Sequence, residues 1–455
     1  MSKKFLLIST PIMIAAGGLL RDFKTVPHIV SMLRSEGYEV YLYFPYNTLE
    51  FIAKSYCRTN EDCEVIHRKL EEGIKLVRAS GAIIDEDLTC SMLEEAIAKA
   101  QQARSSMINR ILDFGYLYVL ARATKESMYI KKFVSRVADD FIASYQTGEG
   151  VYTLYGLWTI SKEQRKPIKL VALLQLEPYS WSSLKPRFSR FSKVTVSIAN
   201  TQLHRATRSI WIKAMRDGIL RGILSVSPAP LIISEIHEEA RKYGVKIGIP
   251  LPANAFDKEI IKFRRKDRDN VAVFFGRLTR RKGVLELLEA WSKIRQGIPD
   301  AKLIIIGSLS HSDKDRRLFI SKLKRTPNAE YLGFIDDRDR LFKTVSKAKL
   351  LIYPSHEDAF PLTVLEALAL GLAVVAYDIP AIKFVYRDLK PVYLVREGDI
   401  TTLARKSIEI LKRDPEEIEG LFEDDNVKHF LELHSSWSNV AKAEYSLLKK
   451  LLRLD

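Results

Sequence analysis

Short, uninterrupted apolar runs recur along the chain, and stretches with helical spacing lie between them. Phe5–Ser9, Glu39–Phe44, Asp140–Tyr145, Ile168–Leu174, Ile223–Ser227, Lys246–Ile249, Val271–Phe275, Lys302–Gly307, Tyr331–Ile335, Leu350–Tyr353 and Ala373–Ala376 have strand length. Most show no in–out alternation, the mark of parallel strands covered on both faces. Helices are predicted over Arg21–Glu36, closed by Gly37, and over Val284–Lys293, Arg316–Lys324, Leu203–Gly222 and Trp437–Leu452. Another starts at Pro361, where a missing N–H costs nothing, and ends before Gly371, suited to a left-handed cap. Residues from Ser55 to Asp140 read as mostly helical. Strands alternating with helices through two halves predict an α/β protein of two doubly wound domains with a cleft between them. Pro250-Leu251-Pro252 and the charged run Lys258–Asp269 mark a linker. The expected division is 1–250 with a helical insertion at about 55–140, then 251–430, then a final helix over 431–455.

Chemistry concentrates at three strand ends. After Phe5–Ser9 comes Gly17-Gly18 and then a helix, a Rossmann-like opening. After Val271–Phe275 the chain reads Gly276-Arg277-Leu278-Thr279-Arg280-Arg281-Lys282-Gly283. Single cations usually just solvate a surface. Two at the carboxyl end of a parallel strand lie where α/β sheets bind ligands. After Leu350–Tyr353 comes Pro354-Ser355-His356-Glu357-Asp358-Ala359-Phe360-Pro361-Leu362 and a helix carrying Glu366. Asp358 and Glu366 are either a capping acid and a surface acid, or ligands beside a helix mouth whose free N–H groups face a phosphate. Asp336-Asp337-Arg338-Asp339 superficially suggests a metal site but reads better as an acid-rich helix start.

The segment Ser355-x-x-Asp358-Ala359-Phe360-Pro361-Leu362-x-x-x-Glu366-Ala367-x-Ala369-x-Gly371 resembles the signature of the retaining, nucleotide-sugar-dependent glycosyltransferase family four, of the GT-B fold. Phe275-Gly276-Arg277-Leu278-x-x-x-Lys282-Gly283 resembles the diphosphate-binding motif of the same family. The family's pair of glutamates corresponds to Asp358 and Glu366, with the shorter acid at the first position. The resemblance implies two Rossmann-like domains with an interdomain cleft, and a C-terminal helix crossing back to the first. It further implies that Arg277 and Lys282 meet the donor diphosphate, that Asp358 holds sugar hydroxyls, and that Glu366 holds the ribose. Phe360, Pro361 and Leu362 would form the helix mouth that faces the phosphates, Gly276 and Gly307 the loops beneath the nucleotide, and the backbone around Phe334 the nucleobase edge. Gly17 and Gly18 would face the donor or acceptor. The family often has a histidine after a strand on the acceptor side. Tyr145-Gln146 and Gln175-Leu176-Glu177 stand there instead, with Gln175 or Glu177 as substitutes.

The reaction so implied moves a sugar from a UDP-, GDP- or ADP-sugar to a hydroxyl of a sugar or lipid-linked acceptor, with no metal and no other cofactor required. The alternatives are a catalytically weak or inactive nucleotide-binding relative, or a basic protein that binds a membrane surface or nucleic acid.

Charge adds a second thread. Lys and Arg number 72 against 56 Asp and Glu, a net +16. Few Asn and Gln accompany this, as on salt-bridged thermophile surfaces. The excess gathers between Lys185 and Arg221, where Leu203–Gly222 reads as a basic amphipathic helix. That helix either covers the sheet or touches an anionic membrane surface. The apolar patch Ile111–Leu120 offers the same choice. No zinc finger or RNA-binding signature is present, so nucleic acid is not expected as a partner. Three cysteines (Cys57, Cys63, Cys90) make no disulfide framework and no metal-spaced cluster. The expected setting is cytoplasmic, with a peripheral place at the inner membrane face left open.

Overall fold

A computed structural model describes residues 3–9, 18–57, 59–105, 115–137, 140–176, 178, 193–309 and 313–454. The chain divides into two compact units. The first comprises Met1–Val226, Pro230–Ala253 and Val440–Asp455, and the second Ser227–Ala229 and Asn254–Asn439.

The first unit holds a six-stranded parallel sheet of β1 (Lys3–Ile8), β2 (Tyr38–Tyr43), β3 (Ala143–Gln146), β4 (Leu170–Leu174), β5 (Leu220–Ser225) and β6 (Lys246–Gly248), in the order β2-β1-β3-β4-β5-β6. β4 is buried along its whole length, as its unbroken apolar run requires. Gly18 opens the helix Gly18–Ser35, and Gly37 closes the turn after it with φ +85°. Helices Tyr46–Tyr56, Asn60–Ala79, Glu86–Ser105 and Gly115–Val137 form the expected helical insertion. Thr59 and Asp62 make a reciprocal capping box at the start of Asn60–Ala79.

The second unit holds β7 (Val271–Phe275), β8 (Lys302–Ile306), β9 (Ala329–Tyr331), β10 (Leu350–Tyr353), β11 (Ala373–Tyr377) and β12 (Val392–Val395), all parallel, in the order β12-β11-β10-β7-β8-β9. The chain winds outward from β7 through β8 and β9. It then returns to β10 on the other side and winds outward again. The order therefore reverses between β7 and β10, which pair through Ala272–Leu350 and Val273–Leu351.

Several boundaries differ from the sequence reading. The basic helix runs Lys193–Arg216 rather than to Gly222, because Gly218 turns the chain at φ +70° and Leu220 already belongs to β5. On the described part of this helix Leu203, Ile210, Trp211 and Met215 are buried, so its apolar stripe covers the unit's own core. Arg208 pairs with Glu239, and Arg216 with Asp217. Residues 185–192, Gly17, Glu177 and the first four residues of the patch, 111–114, lie outside the described residues. β9 ends at Tyr331, and Leu332–Ile335 form the loop after it, with Gly333 at φ +76°.

Cys57 and Cys63 are joined by a disulfide, a pairing that a count of three cysteines did not suggest. Among the described residues, no helix is long and apolar enough to cross a membrane, and no group of His, Cys, Asp or Glu could hold a metal ion.

Candidate functional site at the carboxyl edge of the second sheet

A parallel sheet splays its outgoing loops apart where strand order reverses, and ligands settle in that crevice. In the second unit the reversal places the loop after β7 beside the loop after β10. Both sequence motifs therefore arrive at one place through topology alone.

Backbone contact makes the meeting close. The His356 N–H donates to the Arg281 carbonyl at 2.8 Å. Gly283, at φ +67°, lies so near that a Cβ there would stand 1.8 Å from the Pro354 carbonyl oxygen. Gly307, at φ +143°, packs in the same way on Gly276, with 1.7 Å from a built Cβ to the Gly276 carbonyl oxygen. These two glycines let three loops stack with no side chain between them.

Lys282 is the hub of the site. Its Nζ donates to Asp358 Oδ2 at 2.5 Å, to Tyr353 Oη at 3.2 Å and to the Glu357 carbonyl at 3.2 Å. Three ammonium protons thus meet three acceptors. Tyr353 also donates its hydroxyl to Asp358 Oδ2 at 2.5 Å, and Asp358 Oδ1 accepts the Ala359 N–H at 2.9 Å. Burial would raise the Asp358 carboxyl pKa, but Lys282 and these hydrogen bonds outweigh it and hold the pKa below the ordinary value. Burial and the neighbouring carboxylate push the Tyr353 phenol well up, so it stays a donor. Glu357, one residue out of register, is paired with Arg281 instead.

Pro361 caps the helix Leu362–Ala369, which begins one residue after the expected start, and Gly371 follows its end at φ +77°. The approach to that helix is braced from behind. Tyr386 donates its hydroxyl to the Pro361 carbonyl at 3.0 Å, and Phe360 packs against Tyr386 and His434. The ring of His434, 2% exposed, bonds through Nδ1 to the Asn254 carbonyl at 2.6 Å. Burial drives its pKa down to about 4, so the ring is neutral and Nδ1–H is the donor.

Glu366 lies one turn along this helix. Arg338 Nη2 reaches its Oε1 at 3.2 Å and Asp257 Oδ2 at 3.3 Å. Burial pushes the Glu366 carboxyl up to about 7, against the pull of Arg338. Arg338 belongs to the helix Arg338–Val345, which Asp337 caps by accepting the Arg340 N–H at 3.1 Å. The acidic run 336–339 is therefore a helix start, as its composition suggested.

Arg277 and Gly276 are exposed at the end of β7. Phe334 is 61% exposed in the loop after β9. Lys282, Asp358, Phe360, Pro361 and Leu362 are thus in one cluster. Glu366 sits one helical turn from it, and Gly276 and Gly307 in the adjoining loops. Gly18 belongs to the first unit. Sequence reasoning missed Tyr353, read only as a strand residue, and Arg338, the lone cation in an acidic run.

The corresponding edge of the first sheet is also polar, but filled from within. Gln175 Nε2 donates to Asp22 Oδ1 at 2.8 Å and to the Thr147 carbonyl at 2.6 Å. The Thr147 hydroxyl donates to Asp22 Oδ2 at 2.7 Å. Glu149 accepts the N–H groups of Gln175 and Leu176, and burial pushes its carboxyl up to about 7. Below them Arg21 pairs with Glu444, which also accepts the Tyr145 hydroxyl. Arg21 Nε donates to the Ala253 carbonyl at 3.1 Å. Gln175, expected to offer its amide to a ligand, has given both N–H groups to Asp22 and Thr147.

Residues 255–419 match the family model described as Glycosyl transferases group 1. Among curated relatives, a poly(glycerol-phosphate) alpha-glucosyltransferase of Bacillus subtilis is 32% identical over 142 residues, 31% of this chain and 20% of that protein. A phosphatidyl-myo-inositol mannosyltransferase of Mycobacterium tuberculosis is 33% identical over 124 residues, 27% of this chain and 32% of that protein. The alignments with these two relatives thus reach a third of their length at most. Solved structures resemble the chain along nearly all of it. Sucrose-phosphate synthase from Thermosynechococcus elongatus superposes with a TM-score of 0.61 at 15% identity, over 99% of both chains. HepE of Anabaena in complex with UDP and glucose gives 0.59 at 14%, over 98% of this chain and 100% of that one. At such identities the likeness shows a shared GT-B fold.

Proposed function

We propose that this chain, whose residues 255–419 match the group 1 glycosyl transferases, moves a sugar from a nucleoside-diphosphate sugar to an acceptor hydroxyl with retention of configuration. The observation that carries the reading is the convergence of the loop Gly276–Gly283 with Asp358–Leu362 at the reversal of strand order.

Cleaving the sugar–phosphate bond leaves negative charge on the diphosphate. Arg277, Lys282 and the N–H groups of Phe360 and Leu362 meet that charge as it develops in this reading. Lys282 takes the diphosphate by exchanging its two 3.2 Å contacts, to Tyr353 and the Glu357 carbonyl, for phosphate oxygens. Asp358 has used three of its four acceptor positions, two on Oδ2 and one on Oδ1. The last, on Oδ1, takes a sugar hydroxyl. Glu366 takes the ribose, and the loops at Gly276, Gly307 and Phe334 take the rest of the nucleoside. The acceptor hydroxyl attacks on the face from which the diphosphate departs. With two cations and the amides to balance the leaving group, the reaction requires no metal.

The two relatives are named for phosphate-bearing acceptors, a polymer and a lipid. A net charge of +16 suits an acceptor of that kind. The reading keeps the enzyme in the cytoplasm, peripheral to the inner membrane face where the acceptor is lipid-linked.

A thermal-shift screen of UDP, GDP, ADP and their glucose, mannose and N-acetylglucosamine conjugates tests the donor site. A donor at 100 times its dissociation constant adds about 2.7 kcal/mol to stability. Failure of every compound to raise the melting temperature overturns the reading.

A further inference from the structure

Glu366 cannot be understood from its own helix. It is 12% exposed at the side chain, and its one charged partner reaches in from elsewhere in the sequence. Arg338, on the helix Arg338–Val345, lies with its guanidinium 5.0 Å from the Phe342 ring centroid. The same Nη2 bridges Glu366 Oε1 at 3.2 Å and Asp257 Oδ2 at 3.3 Å. Asp257 is itself fixed, because Oδ1 accepts the Trp437 indole N–H at 3.0 Å. A chain of polar contacts thus runs Trp437–Asp257–Arg338–Glu366.

Three groups face the Glu366 carboxyl from the elements packed on it. Arg338 favours the ionised form, Asp257 opposes it, and the Tyr386 phenol is neutral. Burial opposes ionisation most strongly and leaves the group poised near 7. An ionised carboxylate makes stronger hydrogen bonds to sugar hydroxyls than a protonated one. Occupancy of the charged form near neutral pH therefore depends on Arg338, set against Asp257.

We infer that Arg338 is a positioning residue for the donor site, holding Glu366 ionised and aimed so that it accepts hydrogen bonds from the ribose of a nucleoside diphosphate. This rests on the donor reading above and assigns a residue to that site from outside both sequence motifs. The cluster at Lys282 meets the phosphates, whereas this one sets how binding of the nucleoside varies with pH.

Calorimetric titration of the intact protein tests it, using whichever of UDP, GDP and ADP binds best, from pH 6 to 8.5. Dividing each affinity by that of the Glu366→Gln variant at the same pH cancels titration of the ligand phosphate. For the wild type this ratio should climb as pH rises through about 7. In Arg338→Met the climb should move to higher pH, and the ratio at pH 7 should fall by about tenfold, the loss of one charge-assisted contact. Asp257→Asn should act oppositely, moving the climb to lower pH and tightening binding near pH 6.5. A residue that merely braced the fold would not give shifts of opposite sign. Profiles in Arg338→Met and Asp257→Asn that coincide with the wild type overturn this inference and leave the donor reading standing. Failure of all three nucleotides to bind at any pH overturns both. If Arg338→Met does not fold, Asp257→Asn alone decides, because no downward shift counts against the inference.

Discussion

The two sheets reach their carboxyl edges with similar backbones and opposite chemistry. At the edge of the first, most donors and acceptors have found one another, although Arg21 Nη1 and Gln146 Oε1 are buried with no hydrogen-bond partner among the described residues. Arg21 is spent on Glu444 and the Ala253 carbonyl, Gln175 on Asp22 and Thr147, and Glu149 on two backbone amides. At the edge of the second, Arg277 is exposed, Lys282 holds two long contacts it can exchange, and Glu366 has one carboxylate oxygen bonded and the other available. An anion is captured by donors that are exposed or that hold contacts it can replace. The comparison teaches that polar residues at a strand end mark a ligand site where their contacts can be exchanged, not merely where polar residues gather. On the first sheet the same residue types serve stability.

The contrast can be broken from either side. Glu444→Ala should have the largest effect, since removing one partner strands Arg21 in the interior at a cost of about 3–5 kcal/mol. Chemical denaturation of the variant, followed by circular dichroism, checks it. A loss under about 1 kcal/mol would mean that this edge is not self-satisfied.

Lys282→Ala should lower sugar transfer by about two to three orders of magnitude, equivalent to ~3–4 kcal/mol of lost charge stabilisation, and should also cost stability, since Asp358 loses its counter-charge. Turnover near that of the wild type in a donor assay would remove Lys282 from the mechanism.

Acid should act on the second unit through His434. Its folded pKa lies near 4, below the ordinary 6.5. The neutral ring therefore stabilises fully above about 6.5, and the contribution disappears as pH falls toward 4. The whole shift is worth about 3 kcal/mol. Melting temperatures measured from pH 7 to 4 should fall steeply, and less steeply in His434→Gln. Parallel slopes for the two proteins would contradict the assignment.

Tyr353→Phe should be the mildest, costing about 1–2 kcal/mol of stability for one hydroxyl bonded to charged groups. Its transfer defect should be smaller than that of Lys282→Ala. A larger defect would mean that the phenol, rather than the ammonium, governs the site.

Legibility followed sequence distance. The strand order that reverses between β7 and β10 was not written anywhere in the residues, yet both motifs that meet there were legible. Each is a contiguous turn following an apolar run, so its chemistry and its placement share one short segment. Trp437–Leu452 was found to the residue, since a long amphipathic period with no breaker leaves little choice. Arg338 was read only as one member of an acidic helix start. Its partners Asp257 and Glu366 stand 81 and 28 positions away, and no local pattern encodes such a meeting. Gln175 was read as a ligand group because its consumption by Asp22, from another helix, is a tertiary fact. The end of the basic helix was misplaced because Ile219 and Leu220 fit a helical stripe as well as they fit a strand. Gly218, which breaks the tie, is a single residue whose φ is visible only in three dimensions.

The polypeptide begins its first unit and completes it only at the opposite terminus, since Val440–Asp455 is part of that unit and supplies Glu444. During synthesis, Arg21 must wait for 423 residues of chain, and Tyr145 for 299, before Glu444 is made. Domains made early usually fold early. Here the earlier half lacks Glu444, the partner of Arg21, until the whole second unit has been made. A chain truncated after Asn439 should therefore show a protease-resistant second unit and a still-digestible first one.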